Sequence, residues 1–185
     1  MTEDGRLPLR VAALVTGLPP VPDSTLLILE SIEDSDSVLP VLIGNREGEA
    51  IKEGMTQRFL ARPTPYDLLL NLLEVGNLEV REVFIDKIKD GAYHAKIVVA
   101  AGERTVHLDS RTSDGVAIAL RTHAPLFVST EVFDEAKRPR EEFQAVISGH
   151  PTAEEDEEGR AFKEALEGLE EIDLGELGEA DSGEG

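Results

Sequence analysis

The chain has 185 residues, of which 41% are hydrophobic and 30% are charged, a composition typical of a soluble globular protein with one core. It contains no cysteine, which excludes disulfide bonds, thiolate metal sites and cysteine nucleophiles, and which favours a cytoplasmic location. No apolar run approaches 18 residues, and the first ten residues lack the pattern of a secretory signal. We therefore expect no membrane span and no leader.

The formal net charge is −20, which makes this an acidic protein, and the imbalance is uneven along the chain. Residues 151–185 contain 14 of the 38 acidic residues and only two basic ones. An acidic field repels phosphate backbones, so the overall charge does not favour nucleic acid as a partner.

Three apolar runs predict the first strands, at residues 7–16, 24–30 and 38–43. A polar turn separates the second run from the third, which predicts a hairpin. Asn45 is a typical N-cap residue and predicts a helix over about residues 45–60. The apolar stripe expected on this helix is formed by Ala50, Ile51, Met55 and Phe59.

A second helix is predicted to begin at Pro65, because Thr64 can cap it and proline fits the first helical position. Asp67 stands where the acid of a capping box is expected. Leucines then dominate the sequence until Gly76 ends the helix (Leu68, Leu69, Leu70, Leu72 and Leu73). They cover much of its circumference, which predicts a well buried helix.

An antiparallel meander of three strands is predicted next, at residues 78–89, 92–101 and 104–108. Asp90-Gly91 is a strong signal for a type I′ turn between the first two of these strands. A strand at residues 126–129 and short helices at residues 131–137 and 141–148 follow. Together the elements predict an α+β fold, with a mixed, largely antiparallel sheet and helices packed on it.

The composition changes at Gly149, which predicts a domain at residues 1–148 followed by an acidic tail at residues 149–185. Apolar residues recur at helical spacing in this tail and predict an amphipathic helix at about residues 158–172 (Phe162, Leu166, Leu169 and Ile172). We expect this helix to dock on the body or on a neighbouring chain. The acidic residues before it and the low-complexity end after it predict disorder.

The segment from Asp109 to Asp114 holds two carboxylates, one guanidinium and three hydroxyls at a predicted turn between a strand and a helix. Asp109 and Asp114 fit the ligands of a hard divalent ion, and Glu47, Glu49 and Asp67 are candidates for a further ligand. Arg111 fits the cation that meets negative charge developing on phosphorus. A structural interpretation stays open, in which Thr112 or Ser113 caps the helix, Asp114 favours its dipole and Arg111 pairs with Asp109.

Other catalytic motifs are absent from the sequence, since no histidine pair has zinc-ligand spacing and no nucleophile elbow or phosphate loop appears. There is a weak internal similarity between residues 42–51 and 108–118. Each stretch contains the end of a predicted strand, a polar turn, an acidic residue followed by glycine, and then alanine and isoleucine. Two such strand–turn–helix units would place two acidic turns near each other.

Three blocks together resemble the bifunctional nuclease family. They are LPVLIG at residues 39–44 with Glu47, Glu49, Ala50 and Ile51 after it, RPT at residues 62–64 with Asp67-Leu68-Leu69 after it, and DSRTSDGVAIALR at residues 109–121. The resemblance spans roughly residues 8–138, and its third block is the most specific.

This resemblance implies an α+β domain, a homo-oligomer with a dimer favoured, and, from the plant relatives, nuclease activity on RNA and DNA. The polar motif positions it marks are Glu49, Arg62, Asp67, Asp109, Arg111, Ser113, Asp114 and Arg121. The chain departs from the family pattern at Tyr66, where histidine is common, at Thr112, where proline is common, and at Gly115, where alanine is common. A phenol has a pKa near 10, so Tyr66 cannot replace a histidine in proton transfer at neutral pH.

We therefore predict an enzyme, a nuclease that hydrolyses phosphodiester bonds of RNA, DNA or both with a divalent metal such as Mg or Mn. Its predicted catalytic residues are Asp109, Asp114, Glu49 and Asp67, of which Asp109 and Asp114 hold the metal. Its predicted substrate-binding residues are Arg62, Arg111, Ser113 and Arg121. The alternative, which the acidic charge favours, is a non-catalytic regulatory or protein-interaction module that binds a small anionic ligand or a partner protein.

Overall fold

The computed structural model describes residues 5–18, 21–57, 62–149 and 157–173, and it confirms the α+β class. The strands are β1 (Arg6–Leu18), β2 (Val21–Ser31), β3 (Ser37–Gly44), β4 (Leu78–Lys89), β5 (Ala92–Ala101), β6 (Arg104–Arg111), β7 (Leu126–Ser129) and β8 (Arg138–Pro139). The helices are α1 (Asn45–Thr56), α2 (Pro65–Val75), α3 (Thr112–Thr122), α4 (Thr130–Ala136), α5 (Gln144–Ile147) and α6 (Glu157–Asp173), with a 3-10 helix at Arg140–Phe143.

All eight strands form one sheet in the order β6-β5-β4-β7-β1-β2-β3-β8, in which only the β4–β7 pair is parallel. The chain thereby builds two similar units, β1–β2–β3–α1 and β4–β5–β6–α3. Each is an antiparallel meander that runs directly into a helix. The internal similarity of residues 42–51 and 108–118 falls on the same strand-to-helix junction in both units.

The sheet curls so that its two halves approach each other at one end. Five strand spacings separate β5 from β3, which would be about 24 Å in a flat sheet. The Tyr93 hydroxyl nevertheless lies 3.5 Å from the Pro40 carbonyl oxygen. This curvature brings the junction after β3 close to the junction after β6.

The main core fills the inner side of the sheet. Ile51 of α1 and Val116 of α3 are fully buried there against β2 and β4 residues such as Leu27 and Val83. Gly48 allows α1 to lie directly on β2, because a Cβ at this position would be 2.6 Å from the Thr25 hydroxyl oxygen. The two junction helices are therefore held tightly by the sheet that precedes them.

The predicted meander is confirmed, and β4 and β5 begin and end where the sequence placed them. Asp90 and Gly91 have φ angles of 53° and 71°, the positive values that a type I′ turn requires. The two short helices predicted after β7 are also present, as α4 and as the 3-10 helix that leads into α5.

Helix α2 begins as predicted but is not buried. The capping box is present, with Thr64 N donating to Asp67 Oδ2 at 2.7 Å and Asp67 N donating to the Thr64 hydroxyl at 3.3 Å. No residue of α2 is buried, and Leu72 and Val75 are 59% and 82% exposed. The prediction of burial is wrong because only one side of α2, which includes Tyr66 and Leu73, packs against the main core.

Two predictions about α1 also need correction. Gly44, and not Asn45, is the N-cap residue, and no side-chain hydrogen bond caps this helix. Met55 is exposed, so it does not continue the buried stripe of Ala50 and Ile51. Phe59 lies outside the described residues.

The predicted polar turn at residues 109–114 is not a turn. β6 continues to Arg111, because Asp109, Ser110 and Arg111 pair with Lys96, Ala95 and His94 of β5. Helix α3 begins at the next residue.

Helix α6 lies in the predicted tail, and it docks on the body. Phe162, Leu166 and Leu169 are buried in a second apolar cluster with strand residues of β2 and β3 and with Phe143. The rings of Phe143 and Phe162 meet edge to face, with centroids 5.9 Å apart. The disorder predicted before and after this helix concerns residues that lie mostly outside the described ones, and the boundary between residues 148 and 149 stays a prediction.

Among the helices in the described ranges, none combines the length and the apolar character needed to cross a membrane.

Candidate functional site

The two strand-to-helix junctions meet at Arg111, the last residue of β6. Its Nη1 donates to Glu47 Oε1 of α1 at 2.8 Å, and its Nε donates to Asp114 Oδ2 of α3 at 2.9 Å. Glu47 and Asp114 occupy equivalent places in the internal similarity, since a glycine follows each. The two acidic segments lie near each other as expected, although neither is a free turn, whereas the pairing of Arg111 with Asp109 is wrong.

The amino-terminal ends of α1 and α3 are shaped alike. Gly44 and Arg111 are the N-cap residues, and neither helix has a side-chain cap. The interpretation of Thr112 or Ser113 as a cap is therefore wrong; the Thr112 hydroxyl donates instead to the Tyr93 carbonyl oxygen at 3.1 Å. Glu47 and Asp114 lie in the first turns, where the helix dipole favours negative charge.

Asp114 is held in its ionised form. Burial acts to raise the pKa of this carboxyl, but hydrogen bonds from Arg111 and from the Tyr66 hydroxyl, at 2.7 Å, together with the Arg111 charge, outweigh burial and lower the pKa. Burial and the bond to Asp114 raise the pKa of Tyr66 well above its ordinary value. Tyr66 therefore acts as a donor to Asp114 and keeps its proton at neutral pH.

Arg111 is fixed by its carboxylates but faces solvent. Its hydrogen bond to Asp114 raises the pKa of the guanidinium further above its ordinary value, so the side chain is always charged. The side chain is 66% exposed despite its two partners. A positive group is thus presented at the surface in a defined orientation.

Arg121 lies beneath this group and is committed to the protein. Its side chain is 8% exposed, and its Nη1 donates to the carbonyl oxygens of Ala50 and Ala117 at 2.7 and 3.0 Å. Its Nη2 donates to Glu53 at 3.2 Å, and the guanidinium stacks over the Tyr66 ring at 4.8 Å. Arg121 therefore ties α1, α2 and α3 together under the site.

The remaining predicted site residues are not all brought together. Asp109 is exposed on β6 opposite Lys96, whose ammonium is 2.5 Å from Asp86. The carboxylate of Asp67 accepts hydrogen bonds from Thr64, whose backbone bond lowers the pKa of this carboxyl. Glu49 and Arg62 are exposed, and Arg62 makes no ion pair with a described residue.

A divalent metal does not fit these carboxylates as they are arranged. Both oxygens of Asp114 accept hydrogen bonds from Arg111 or Tyr66, and Asp109 lies apart beside Lys96. In the described ranges, no group of three or more histidine, aspartate or glutamate side chains is arranged to hold a metal ion. The Arg111 guanidinium occupies the position between Glu47 and Asp114.

Two clefts flank the Arg111–Glu47 ion pair, and both residues line both clefts. The apolar cleft, of about 250 Å³, is lined otherwise by Pro40–Gly44, Gly91–Tyr93, Thr112, Ser113 and Leu169. The charged cleft, of about 330 Å³, is lined otherwise by Arg46, Glu49, Ala50, Glu53 and Thr64–Tyr66. Arg111 therefore stands where a ligand in either cleft would meet positive charge.

Sequence reasoning missed several members of this site. It gave Glu47 only as a further ligand, although the acid-Gly match with Asp114 was a signal that the two residues are equivalent. Arg46 and Glu53 were missed because only their helical spacing with Glu49 and Ala50 places them on one face of α1. The contact of Tyr66 with Asp114 joins residues 48 positions apart and had no sequence signal.

Comparison with known proteins gives the family. The family model described as the bifunctional nuclease domain matches residues 27–141, which is more than half of the chain and includes both junctions. "Uncharacterized protein Rv1829" of Mycobacterium tuberculosis is 30% identical over 155 residues, covering 83% of this chain and 90% of that protein.

Plant proteins match over a shorter stretch. "Bifunctional nuclease 1" of Arabidopsis thaliana is 27% identical over 115 residues, covering 60% of this chain and 35% of the plant protein. "Bifunctional nuclease 1" of Oryza sativa subsp. japonica is 26% identical over 109 residues, covering 57% of this chain and 33% of the plant protein. The match to the family model and the coverage of the mycobacterial relative agree, and the chain belongs to the bifunctional nuclease domain family.

Proposed function

We propose that this protein is a nuclease that hydrolyses phosphodiester bonds in RNA, DNA or both, and that Arg111 binds the phosphate. Family membership supports the reaction class, because the plant relatives are named bifunctional nucleases. The observation that carries the proposal is Arg111 itself, an exposed guanidinium held between two carboxylates at the meeting point of two clefts.

Arg111 retains hydrogen-bonding capacity for a ligand. A guanidinium has five N–H donors, and within the described residues Arg111 uses three of them, for Glu47 Oε1, Asp114 Oδ2 and, at 3.4 Å, Asp114 Oδ1. The donors that remain suit phosphate oxygens, which arginine binds through paired N–H groups. A preorganised cation at this place would stabilise charge that develops on the phosphorus oxygens.

The carboxylates that touch Arg111 are positioning residues in this proposal. Glu47 and Asp114 orient the guanidinium, and Tyr66 and Arg121 hold Asp114 and α1 in place behind it. Arg46 and Arg62, both exposed, are proposed to bind neighbouring phosphates. Asp109 and Glu49 remain the predicted catalytic carboxylates, and both are open to solvent.

Dependence on Mg or Mn stays part of the prediction, with Asp109 and Asp114 as its predicted ligands. No step is assigned to a metal, because the described carboxylates do not form a set that holds one. A divalent ion binding Asp114 would meet the positive charge of Arg111, which donates to both oxygens of that carboxylate. A metal requirement would therefore be accompanied by movement of the Arg111 side chain.

The second candidate function is a regulatory or interaction module without catalysis, which binds a small anionic ligand or a partner protein. The net charge of −20 favours it, and so do the three glutamates that line the charged cleft, Glu47, Glu49 and Glu53. A long polyanion is repelled by such a surface more strongly than a small anion is.

A cleavage assay distinguishes the two candidates. Labelled single-stranded RNA and DNA are incubated with the full chain in Mg, in Mn or in chelator. Asp114→Asn is compared with Asp134→Asn, which alters an exposed aspartate paired with Lys137 on α4. We expect Asp114→Asn to reduce kcat at least about tenfold, because Arg111 loses an ionic partner that orients it. Full activity in Asp114→Asn would contradict the assigned site.

We also propose that the protein is a homo-oligomer, with a dimer favoured, and that it is cytoplasmic. The exposed leucines of α2 support self-association, because Leu68 and Leu72 lie one turn apart on a helix whose outer face packs on no described residue of the body. Light scattering of the purified chain gives its mass in solution directly.

A further inference from the structure

We propose that the apolar cleft is a nucleoside-binding subsite, which takes the base and sugar next to the phosphate held by Arg111. This inference rests on the proposed nuclease function and adds to it the place and chemistry of the substrate's base. It starts from the lining of the cleft, which is mainly apolar and includes Tyr93.

Ser113 gives the cleft a hydroxyl group. The residue is 6% exposed and lines the cleft. A hydroxyl can both donate and accept a hydrogen bond, so it can bind the polar edge of a nucleobase, whereas an aliphatic ligand would make no use of it.

The charges around the cleft also match an uncharged base. Glu47 and Arg111 are the charged residues in its lining, and they pair with each other at 2.8 Å. The interior is therefore close to neutral, while the exposed side of Arg111 offers positive charge at the rim. A nucleotide has this distribution, with a neutral planar base on one side and an anionic phosphate on the other.

The shape of the cleft fits the same ligand. Gly44, Gly91 and Ala92 contribute little or no side chain, so β3 and the turn before β5 border the opening with backbone. A cleft of about 250 Å³ is close to the lower end of small-molecule sites. Bases stack on aromatic side chains with little dependence on their identity, so we expect weak discrimination among the four bases.

The test measures binding of AMP and UMP to the full chain by calorimetry, with ribose 5-phosphate and inorganic phosphate as probes that lack a base. Stacking is expected to make either nucleotide bind at least about fivefold more tightly than ribose 5-phosphate. Equal affinity for AMP and ribose 5-phosphate would overturn the assignment of a base subsite.

Two matched substitutions locate the binding. Ala92 and Ala101 are the first and last residues of β5, and each is next to a two-residue turn. Of the two, only Ala92 lines the cleft. Ala92→Phe is expected to weaken AMP binding at least about tenfold by filling the cleft, and Ala101→Phe to leave it unchanged. Ser113→Ala, which removes only the hydroxyl, should weaken it about fivefold. Circular dichroism checks that each variant is folded, and unchanged AMP affinity in folded Ala92→Phe would overturn the proposal.

The same samples separate this inference from the nuclease proposal. If the chain cleaves oligonucleotides while AMP binds no better than ribose 5-phosphate, the base subsite is overturned and the nuclease stands. If AMP binding depends on Ala92 and Ser113 but no cleavage occurs in Mg, Mn or chelator, the nuclease is overturned and the subsite stands.

Discussion

Gly115 lies so close to Val83 that a side chain at residue 115 would collide with it. Substitution of both residues tests this close contact. A Cβ at Gly115 would lie 2.8 Å from Val83 Cγ1, 3.4 Å from Ser110 Oγ and 3.6 Å from Ala95 Cβ. Val83 is fully buried, so it cannot move away freely. Helix α3 therefore approaches the sheet more closely here than a side chain at residue 115 permits, and this approach sets the position of Asp114.

The magnitude follows from two opposing effects. Alanine in a helix is favoured over glycine by about 0.5–1 kcal/mol. Overpacking a buried site costs about 1–3 kcal/mol, so Gly115→Ala should lower the free energy of unfolding by about 1 kcal/mol. Val83→Ala alone should lower it by about 2 kcal/mol through lost burial and a cavity. In the double variant the new methyl group fills that cavity, so the loss should be only about 1 kcal/mol.

The assay is urea unfolding of the full chain, followed by circular dichroism. Gly168→Ala in α6 is the matched control, because a Cβ there would meet no atom within 4 Å. The control should stabilise by about 0.5–1 kcal/mol. Additive effects of Gly115→Ala and Val83→Ala, or a stabilising Gly115→Ala, would refute the close contact.

Three further predictions concern other parts of the molecule. Phe162→Ala removes a buried ring and should lower the free energy of unfolding by up to about 3–5 kcal/mol, or release α6 alone. Hydrogen exchange in residues 157–173 would show the release of α6, and unchanged exchange there would contradict the docking of this helix. The pKa of Asp114 is lowered in the folded protein, so its contribution to stability is present above about pH 4 and is lost as pH falls through the folded pKa. The stability difference between wild type and Asp114→Asn should therefore be larger at pH 7 than at pH 3, and a difference that grows towards acid would be inconsistent with it. Leu72→Glu should change the free energy of unfolding by less than about 0.5 kcal/mol, because the side chain is exposed. If α2 mediates self-association, the same variant should have a lower mass in light scattering. A large loss of stability in the monomer would contradict the exposure of α2.

Local patterns predicted most of the fold. The boundaries of β4 and β5 and the turn at Asp90-Gly91 follow from alternation and from turn chemistry, which depend only on neighbouring residues. The same is true of the capping box of α2. Its exposure could not be predicted, because burial depends on how much of the helix packs against the main core.

The site was predicted in part. The third motif block includes Arg111 and Asp114, and the internal similarity indicated that a second acidic turn would lie close by. Which carboxylate pairs with Arg111 depends on strand register and on how the sheet curls. Asp109 faces Lys96 across the ladder, while Glu47 arrives from the other unit. Neither fact has a local sequence signal.

The most direct test of the central claim is the kcat/KM for oligonucleotide cleavage by Arg111→Lys. Lysine keeps the charge but has no planar fork of donors. If Arg111 binds the reacting phosphate, the value should fall about 100-fold, as for loss of a preorganised donor. Arg81→Lys, which alters an exposed arginine paired with Glu79 outside both clefts, should leave it unchanged. Wild-type kcat/KM in a folded Arg111→Lys protein would contradict the account.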